Sequence, residues 1–307
     1  MFTYGAAFVA PALRQFRERS QKNTNDHKIY ALNGRKHVTS NDTPFCSALT
    51  PHPCEHCFPS HNAADLPSYR LAALDQDFIL GDSMRGVRFM LEYEKVEEAL
   101  REWGVLSTIV VFGSARVREA QPGRRGAWYD EARKFGRLAS ERGGALTRNG
   151  GKRMNVIATG GGPGIMEAAN RGAHDVCAPS IGFNITLPRE QVPNPYTTPE
   201  LTFRFHYFAI RKMHLAMRAS ALVVFPGGFG TLDEMFEILT LRQTGKAPKV
   251  PIILFDRDYW QSAINLDVFA ENGMIDSEDR DLFSYADSAE ALWATLIDQG
   301  LSPAIAG

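Results

Sequence analysis

The chain has no apolar stretch near the roughly 18 residues needed to cross a membrane as a helix. It has no excess of either charge: 34 Lys and Arg stand against 35 Asp and Glu, a formal net charge of -1. Neither nucleic acid nor a membrane surface is therefore expected as a partner. Cysteine is scarce. Cys46, Cys54 and Cys57 fall within a dozen residues and Cys177 stands alone, which excludes a disulfide framework spread across a large core. Met1 to Arg19 runs from mildly apolar to basic, the reverse of a secretory signal, so the cytoplasm is the expected compartment. Two phosphate-binding signatures are also missing. There is no Walker lysine at the end of a Gly-x-x-x-x-Gly run, and no glycine-rich loop completes the dinucleotide fingerprint. What is present is ordinary for a globular protein: 307 residues, 44% hydrophobic and 22% charged.

Three segments differ in texture. Residues 1–70 are rich in Asn, His, Pro, Ser and Thr with little periodicity and read as an irregular extension. Residues 71–106 read as helical, with one pattern near Asp75–Leu91 and a second carrying Phe89, Tyr93, Val96, Leu100 and Trp103; the two suit one long bent helix. From 107 to 307 short apolar runs alternate with helical patterns. Strands are expected at Thr108–Phe112, Asn155–Thr159, Ser180–Ile185, Ala221–Phe225 and Val250–Phe255, with a weaker one at Leu282–Tyr285. Helices are expected at Ala127–Arg142, Gly164–Asp175, Phe208–Ala219, Leu232–Thr244, Tyr259–Asn272 and Ser288–Gln299. This β-α repetition implies an α/β, doubly wound, mostly parallel sheet with helices on both faces, whose ligands bind beyond the carboxyl ends of the strands.

Three loops fall at that rim: Gly113-Ser114, Gly160 to Glu167 (GGGPGIME), and Pro226 to Thr231 (PGGFGT). In the second, Gly162 and Gly164 would need a third glycine where Glu167 stands; in the third, Gly228 and Gly230 would need one at Asp233. Glycines such as Gly161, Gly162, Gly227, Gly228 and Gly230 let backbone N–H groups approach an anion, and a helix N-terminus adds partial positive charge. Thr231 is placed to cap the following helix or to donate its hydroxyl to a phosphate. Glu167, Asp233 and Glu234 are expected on first turns, where a carboxylate would repel phosphate and instead suggests chemistry, or a ligand hydroxyl, beside it. The pattern fits a nucleotide-sized ligand with one phosphate. Upstream, Ile210, Met213 and Met217 form an apolar helix face, with Arg211 and Lys212 to its side. These two are either a solvated basic edge or the means of placing Arg211 over the cleft beside Glu234.

With these residues in hand, the chain resembles the LONELY GUY family, cytokinin riboside 5′-monophosphate phosphoribohydrolases, many once labelled lysine decarboxylase-like. The family pattern PGGxGTxxE matches Pro226 through Glu234; the Arg-Lys pair matches Arg211 and Lys212; GGGPGIME matches Gly160 to Glu167; and a threonine six residues past the glutamate is Thr240. The resemblance implies a Rossmann-like fold, a homodimer or higher homo-oligomer, no cofactor, and hydrolysis of the N-glycosidic bond of a purine nucleoside 5′-monophosphate, AMP or an N6-modified AMP. It puts catalysis on Glu234 and Arg211, and substrate binding on Glu167, Lys212, the Gly227–Thr231 loop and Thr240. From the residues themselves, Arg211 either orients the substrate or assists departure of the base. Two other readings stand beside it: a non-catalytic nucleotide sensor or carrier on the same fold, and pyridoxal-phosphate decarboxylation through Lys212 or Lys152.

Other features read blandly. Cys54 and Cys57, flanked by His52, His56 and His61, have the spacing of a zinc knuckle, but no second pair follows and free thiols are the expectation. His206 and His214 read as packing or capping histidines, and the aromatic run Phe203–Phe208 as core or oligomer interface.

Overall fold

The computed structural model describes residues 66–146, 151–187 and 192–303. The Cys54–Cys57 pair and most of the irregular extension lie outside the described residues. Two short 3-10 turns, Pro67–Tyr69 and Ala72–Leu74, lead to helix α1 (Gln76–Leu80) and then to α2 (Arg85–Glu102). The single bent helix expected here is broken in two. Gly81 is extended (φ -63, ψ 157) and a 3-10 turn occupies Asp82–Met84. Arg88 stabilises the break, because its Nη1 donates to the carbonyls of Ile79 at 2.8 Å and Gly81 at 2.6 Å.

The alternating part follows: β1 (Thr108–Phe112), α3 (Arg124–Arg142), β2 (Val156–Thr159), α4 (Ile165–His174), β3 (Ser180–Ile185), β4 (Thr202–Phe205), α5 (Phe208–Met217), β5 (Ala219–Val224), α6 (Phe229–Gln243), β6 (Ile252–Phe255), α7 (Arg257–Ala263), α8 (Asp267–Glu271), β7 (Ser284–Ala286) and α9 (Ala289–Asp298). The strands pair in parallel in the order β4-β3-β2-β1-β5-β6-β7, a doubly wound sheet as expected. The continuous apolar runs of β1, β2 and β6 are buried along their whole length, as strands covered on both faces must be. The long helix α2 joins this core through Val96 and Leu100. Among the described residues no helix is long and apolar enough to cross a membrane.

Three expectations need correction. Strand β4 lies inside a segment read only as an aromatic run. Its Thr-Phe-Arg-Phe alternation places Phe203 and Phe205 inward, each about 6 Å from the Phe183 ring, and Arg204 outward at the sheet edge. The expected helix Tyr259–Asn272 is two helices, because Ile264 at the end of α7 turns extended (φ -143, ψ 121). Helix α6 begins at Phe229, three residues before the expected Leu232. Gly228 is therefore its N-cap residue, Thr231 lies within the first turn without capping it, and Asp233 and Glu234 belong to the second turn.

Candidate active site

The chain runs outward from β1 to β4, crosses over, and runs outward again from β5 to β7. The strand order therefore reverses between β1 and β5, and their carboxyl ends flank the crevice where such sheets bind ligands. All three glycine-rich loops meet there. The Ser114 N–H donates to the Pro226 carbonyl at 3.0 Å, and the Ser114 carbonyl accepts from the Ile165 N–H at 3.1 Å. The backbone of Ser114 thus joins the loop after β2 to the loop after β5. Its hydroxyl accepts from the Arg116 N–H at 3.1 Å.

The loop after β2 is locked. The Thr159 hydroxyl accepts from the Gly161 N–H at 2.9 Å, and the Asn194 N–H donates to the Gly161 carbonyl at 2.9 Å. Asn194 Nδ2 reaches the Gly162 carbonyl at 3.1 Å. At Gly164 (φ +79) a Cβ would stand 2.3 Å from the Ser114 carbonyl, so this turn admits only glycine. Glu167 lies on the first turn of α4, as expected, and accepts from the Tyr129 hydroxyl at 3.0 Å. Burial and the neighbouring carboxylate push that phenol up to about 12, against the pull of Arg171.

The loop after β5 is open. A side chain at Gly228 or Gly230 would meet nothing within 4 Å, and Phe229 is 93% exposed. The first α6 hydrogen bond after the cap runs from the Leu232 N–H to the Gly228 carbonyl. The N–H groups of Gly228, Phe229, Gly230 and Thr231 precede it and have no partner within the helix, an anion-binding arrangement. Thr231 is buried with its hydroxyl against Gly227: a Cβ on Gly227 would lie 2.1 Å from Thr231 Oγ1.

Arg211 and Glu234 meet beside this open loop. Arg211 Nη2 donates to Glu234 Oε1, with the residues only 8% and 9% exposed. A Cβ on Gly160 would lie 3.3 Å from Arg211 Nη1, so the guanidinium spans from the β2 loop to α6. Its Nε is buried without a partner. Burial raises the Glu234 carboxyl above its ordinary range, and the Arg211 charge opposes this without cancelling it.

Helix α2 holds Arg211 in place from outside the glycine motifs. The Glu92 carboxylate accepts from the N–H groups of His206 at 2.8 Å and Tyr207 at 3.2 Å, where α5 begins. Arg88 Nε donates to the Tyr207 hydroxyl at 2.9 Å. Past the other end of α5, Arg218 grips both oxygens of Glu97 at 2.5 and 2.7 Å. His214 is buried among Tyr93, Phe183 and Phe205, a packing histidine with Nδ1 3.4 Å from Glu97 Oε1.

The structure thus brings together Gly113, Ser114, Gly161, Gly162, Gly227 and Gly228 at one rim, with Arg211 and Glu234 between loops. Two expected binders are engaged or placed differently. Lys212 Nζ pairs with Asp233 at 2.8 Å and Glu237 at 2.9 Å, and Thr240 is exposed further along α6. Burial works against the Lys212 charge, but the two carboxylates outweigh it and raise its ammonium above the ordinary value. Glu92, Arg88 and Tyr259, whose hydroxyl donates to the Gly227 carbonyl at 2.7 Å, also belong to the surroundings of the site. No spacing marks them; their partners are distant in sequence.

Comparison with known proteins gives the following. A family described as "Possible lysine decarboxylase" matches residues 166–296. The chain is 29% identical over 151 residues to the probable cytokinin riboside 5′-monophosphate phosphoribohydrolase LOG4 of Oryza sativa subsp. japonica, covering 48% of this chain and 64% of that protein. It is 28% identical over 173 residues to the cytokinin riboside 5′-monophosphate phosphoribohydrolase LOG of the same plant, covering 55% and 66%. It is 28% identical over 145 residues to LOG3 of Arabidopsis thaliana, covering 46% and 66%. The match thus spans just under two thirds of each relative. A solved structure, the molybdenum cofactor binding protein from the phototrophic bacterium Rippkaea orientalis, superposes with a TM-score of 0.44 at 20% identity, covering 62% of this chain and 96% of that one.

Proposed function

We propose, from the LONELY GUY resemblance that these relatives bear out, that the chain hydrolyses the N-glycosidic bond of a purine nucleoside 5′-monophosphate. The products are a free base and ribose 5-phosphate, with AMP or an N6-modified AMP as substrate. One observation carries this reading: the buried Glu234–Arg211 pair borders an open helix N-terminus at the reversal point of the sheet.

Cleavage of a ribosyl C–N bond passes through an oxocarbenium-like transition state, which a nearby carboxylate stabilises or supplies with an oriented water. Glu234 fills that role. Arg211 occupies Oε1, and Oε2 is the oxygen left for the sugar. The N–H groups of Gly228 to Thr231 hold the 5′-phosphate, and that remote binding energy positions the ribose. Side chains six residues into a helix point back toward its N-terminus, so Glu234 lies within about 9 Å of the cradle, a sugar's span. Arg211 orients the substrate or assists the leaving base.

The decarboxylase label fits the residues poorly. A Schiff-base lysine needs a lowered pKa, whereas Lys212 is held by two carboxylates and shifted upward. A nucleotide sensor is the second reading, favoured by the ion pair that engages Glu234 with Arg211.

The test is incubation with adenylate, N6-modified adenylate, guanylate, inosinate and the pyrimidine monophosphates, followed by separation of base from ribose 5-phosphate. Base release from a purine monophosphate is expected. Intact nucleotide across the panel would overturn the hydrolase reading, and a wild-type chain that binds nucleotide without turnover and keeps that binding in Glu234→Gln would favour the sensor.

A further inference from the structure

Tyr259 belongs to no glycine-rich motif, yet it touches the open loop. It sits on α7, beyond β6, and its hydroxyl donates to the Gly227 carbonyl at 2.7 Å, in the loop beyond β5. The tyrosine is itself held on two sides. Asp256 adopts a left-handed conformation (φ 70, ψ 84), and its Oδ1 accepts from the Tyr259 N–H at 3.1 Å. The same carboxylate accepts from Arg124 Nη2 at 2.5 Å and Trp128 Nε1 at 2.8 Å, which ties α7 to α3. The Trp128 ring then meets the Tyr259 ring edge-on, with centroids 5.4 Å apart. Left-handed backbone is costly for a residue with a side chain, and three donors on one carboxylate offset that cost.

The Gly227–Gly228 peptide needs such an outside tether. Two successive glycines leave the backbone soft. A peptide unit is planar, and no cis bond occurs among the described residues. Fixing the carbonyl of Gly227 therefore fixes the Gly228 N–H in the opposite direction, away from Tyr259. No other bond to the Gly227 carbonyl is formed within the loop's own backbone.

We propose that Tyr259 is a positioning residue for the phosphate cradle. By anchoring the Gly227 carbonyl it turns the Gly228 N–H toward the phosphoryl group, and the Asp256–Arg124–Trp128 cluster keeps the tyrosine in register. This rests on the phosphate-loop reading given above.

The test uses the full chain and Tyr259→Phe, which removes one oxygen. The dissociation constant for ribose 5-phosphate, measured by calorimetry, is expected to rise about fivefold to tenfold, the scale of one hydrogen bond. The KM for AMP rises similarly while kcat changes less than about threefold, because the phosphate is held alike in ground and transition states. For adenosine, which lacks phosphate, kcat/KM changes less than about twofold; a merely structural loss would depress both substrates. Trp128→Phe, which removes a donor to Asp256 and keeps a ring against Tyr259, is expected to give the same pattern at about twofold amplitude. Unchanged affinity for ribose 5-phosphate, or equal losses on AMP and adenosine, overturns the proposal. A wild-type chain that binds ribose 5-phosphate but releases no base sinks the hydrolase reading alone, since the binding arm still decides the role of Tyr259. A wild-type chain that releases base but does not bind ribose 5-phosphate sinks the role of Tyr259 alone.

Discussion

Glu97 and Glu234 each meet an arginine below the surface, yet their carboxyls are displaced in opposite directions. Burial opposes ionisation at Glu97, but Arg218 grips both of its oxygens and, with His214 nearby, holds it down at about 2. Glu234 is the more deeply enclosed of the two, Arg211 takes only one of its oxygens and Asp233 and Glu237 lie close by, so burial prevails and the carboxyl is raised. The difference is how deeply the carboxylate is withdrawn from water and how completely its hydrogen-bonding capacity is filled. A carboxylate held at both oxygens is a fastening. One held at a single oxygen, beside an open loop, is available for chemistry.

The sharpest way to break this contrast is to neutralise Glu234. Glu234→Gln is expected to reduce base release by about 10²- to 10⁴-fold, roughly 3–5 kcal/mol of transition-state stabilisation. The urea midpoint should not fall, because the amide needs no charge in a buried position. A large loss of stability would make Glu234 a structural residue like Glu97.

Arg218→Met strands the Glu97 carboxylate and is expected to cost about 3–5 kcal/mol of folding stability by urea titration. Its kcat should change far less than that of Glu234→Gln.

The pH dependence of stability separates the two groups by sign. Glu97 has a folded value of about 2 against 4.5 unfolded, so its contribution is present above 4.5 and lost as pH falls toward 2. At about 1.4 kcal/mol per unit this amounts to roughly 3 kcal/mol. Glu97→Gln should flatten that acid limb in unfolding curves taken between pH 2 and 7. Glu234 has a raised folded value, so its contribution is complete below 4.5 and lost as pH rises through the raised value. Glu234→Gln should therefore gain on the wild type in that upper window. The acid limb of base release should lie above 4.5, because the proposed role of Glu234 requires its carboxylate form.

The smallest effect is expected at Gly230. A methyl group there meets no atom within 4 Å, and the position is helical. Gly230→Ala should change folding stability by no more than about 1 kcal/mol in chemical denaturation. A greater loss would mean the loop is closed against something other than ligand.

Much of the fold was legible because its signals are local. Thr108–Phe112 and Ser180–Ile185 are apolar runs of strand length bounded by polar or turn residues, and the strands fall at those residues. Strand β4 was obscured because Phe203 and Phe205 continue into His206, Tyr207 and Phe208, so a period of two was hidden in an aromatic block. The start of α6 was misplaced because Gly228 and Gly230 look like turn residues, while the backbone begins the helix at Phe229. At the site, the approach of Arg211 to Glu234 was one of two open readings. Nothing in the sequence separated the locked glycines around Gly161 from the open ones around Gly230.

By itself the sequence determined where strands end in glycine-rich loops and that a glutamate follows the third of these, since such patterns depend on neighbours along the chain. Only the tertiary structure decided which loops share a rim, which oxygen of Glu234 is taken, and that Tyr259 reaches Gly227. Burial and hydrogen-bond partnership are properties of surfaces brought together by the sheet order, and side chains 23 or 32 positions apart carry no mark of their meeting.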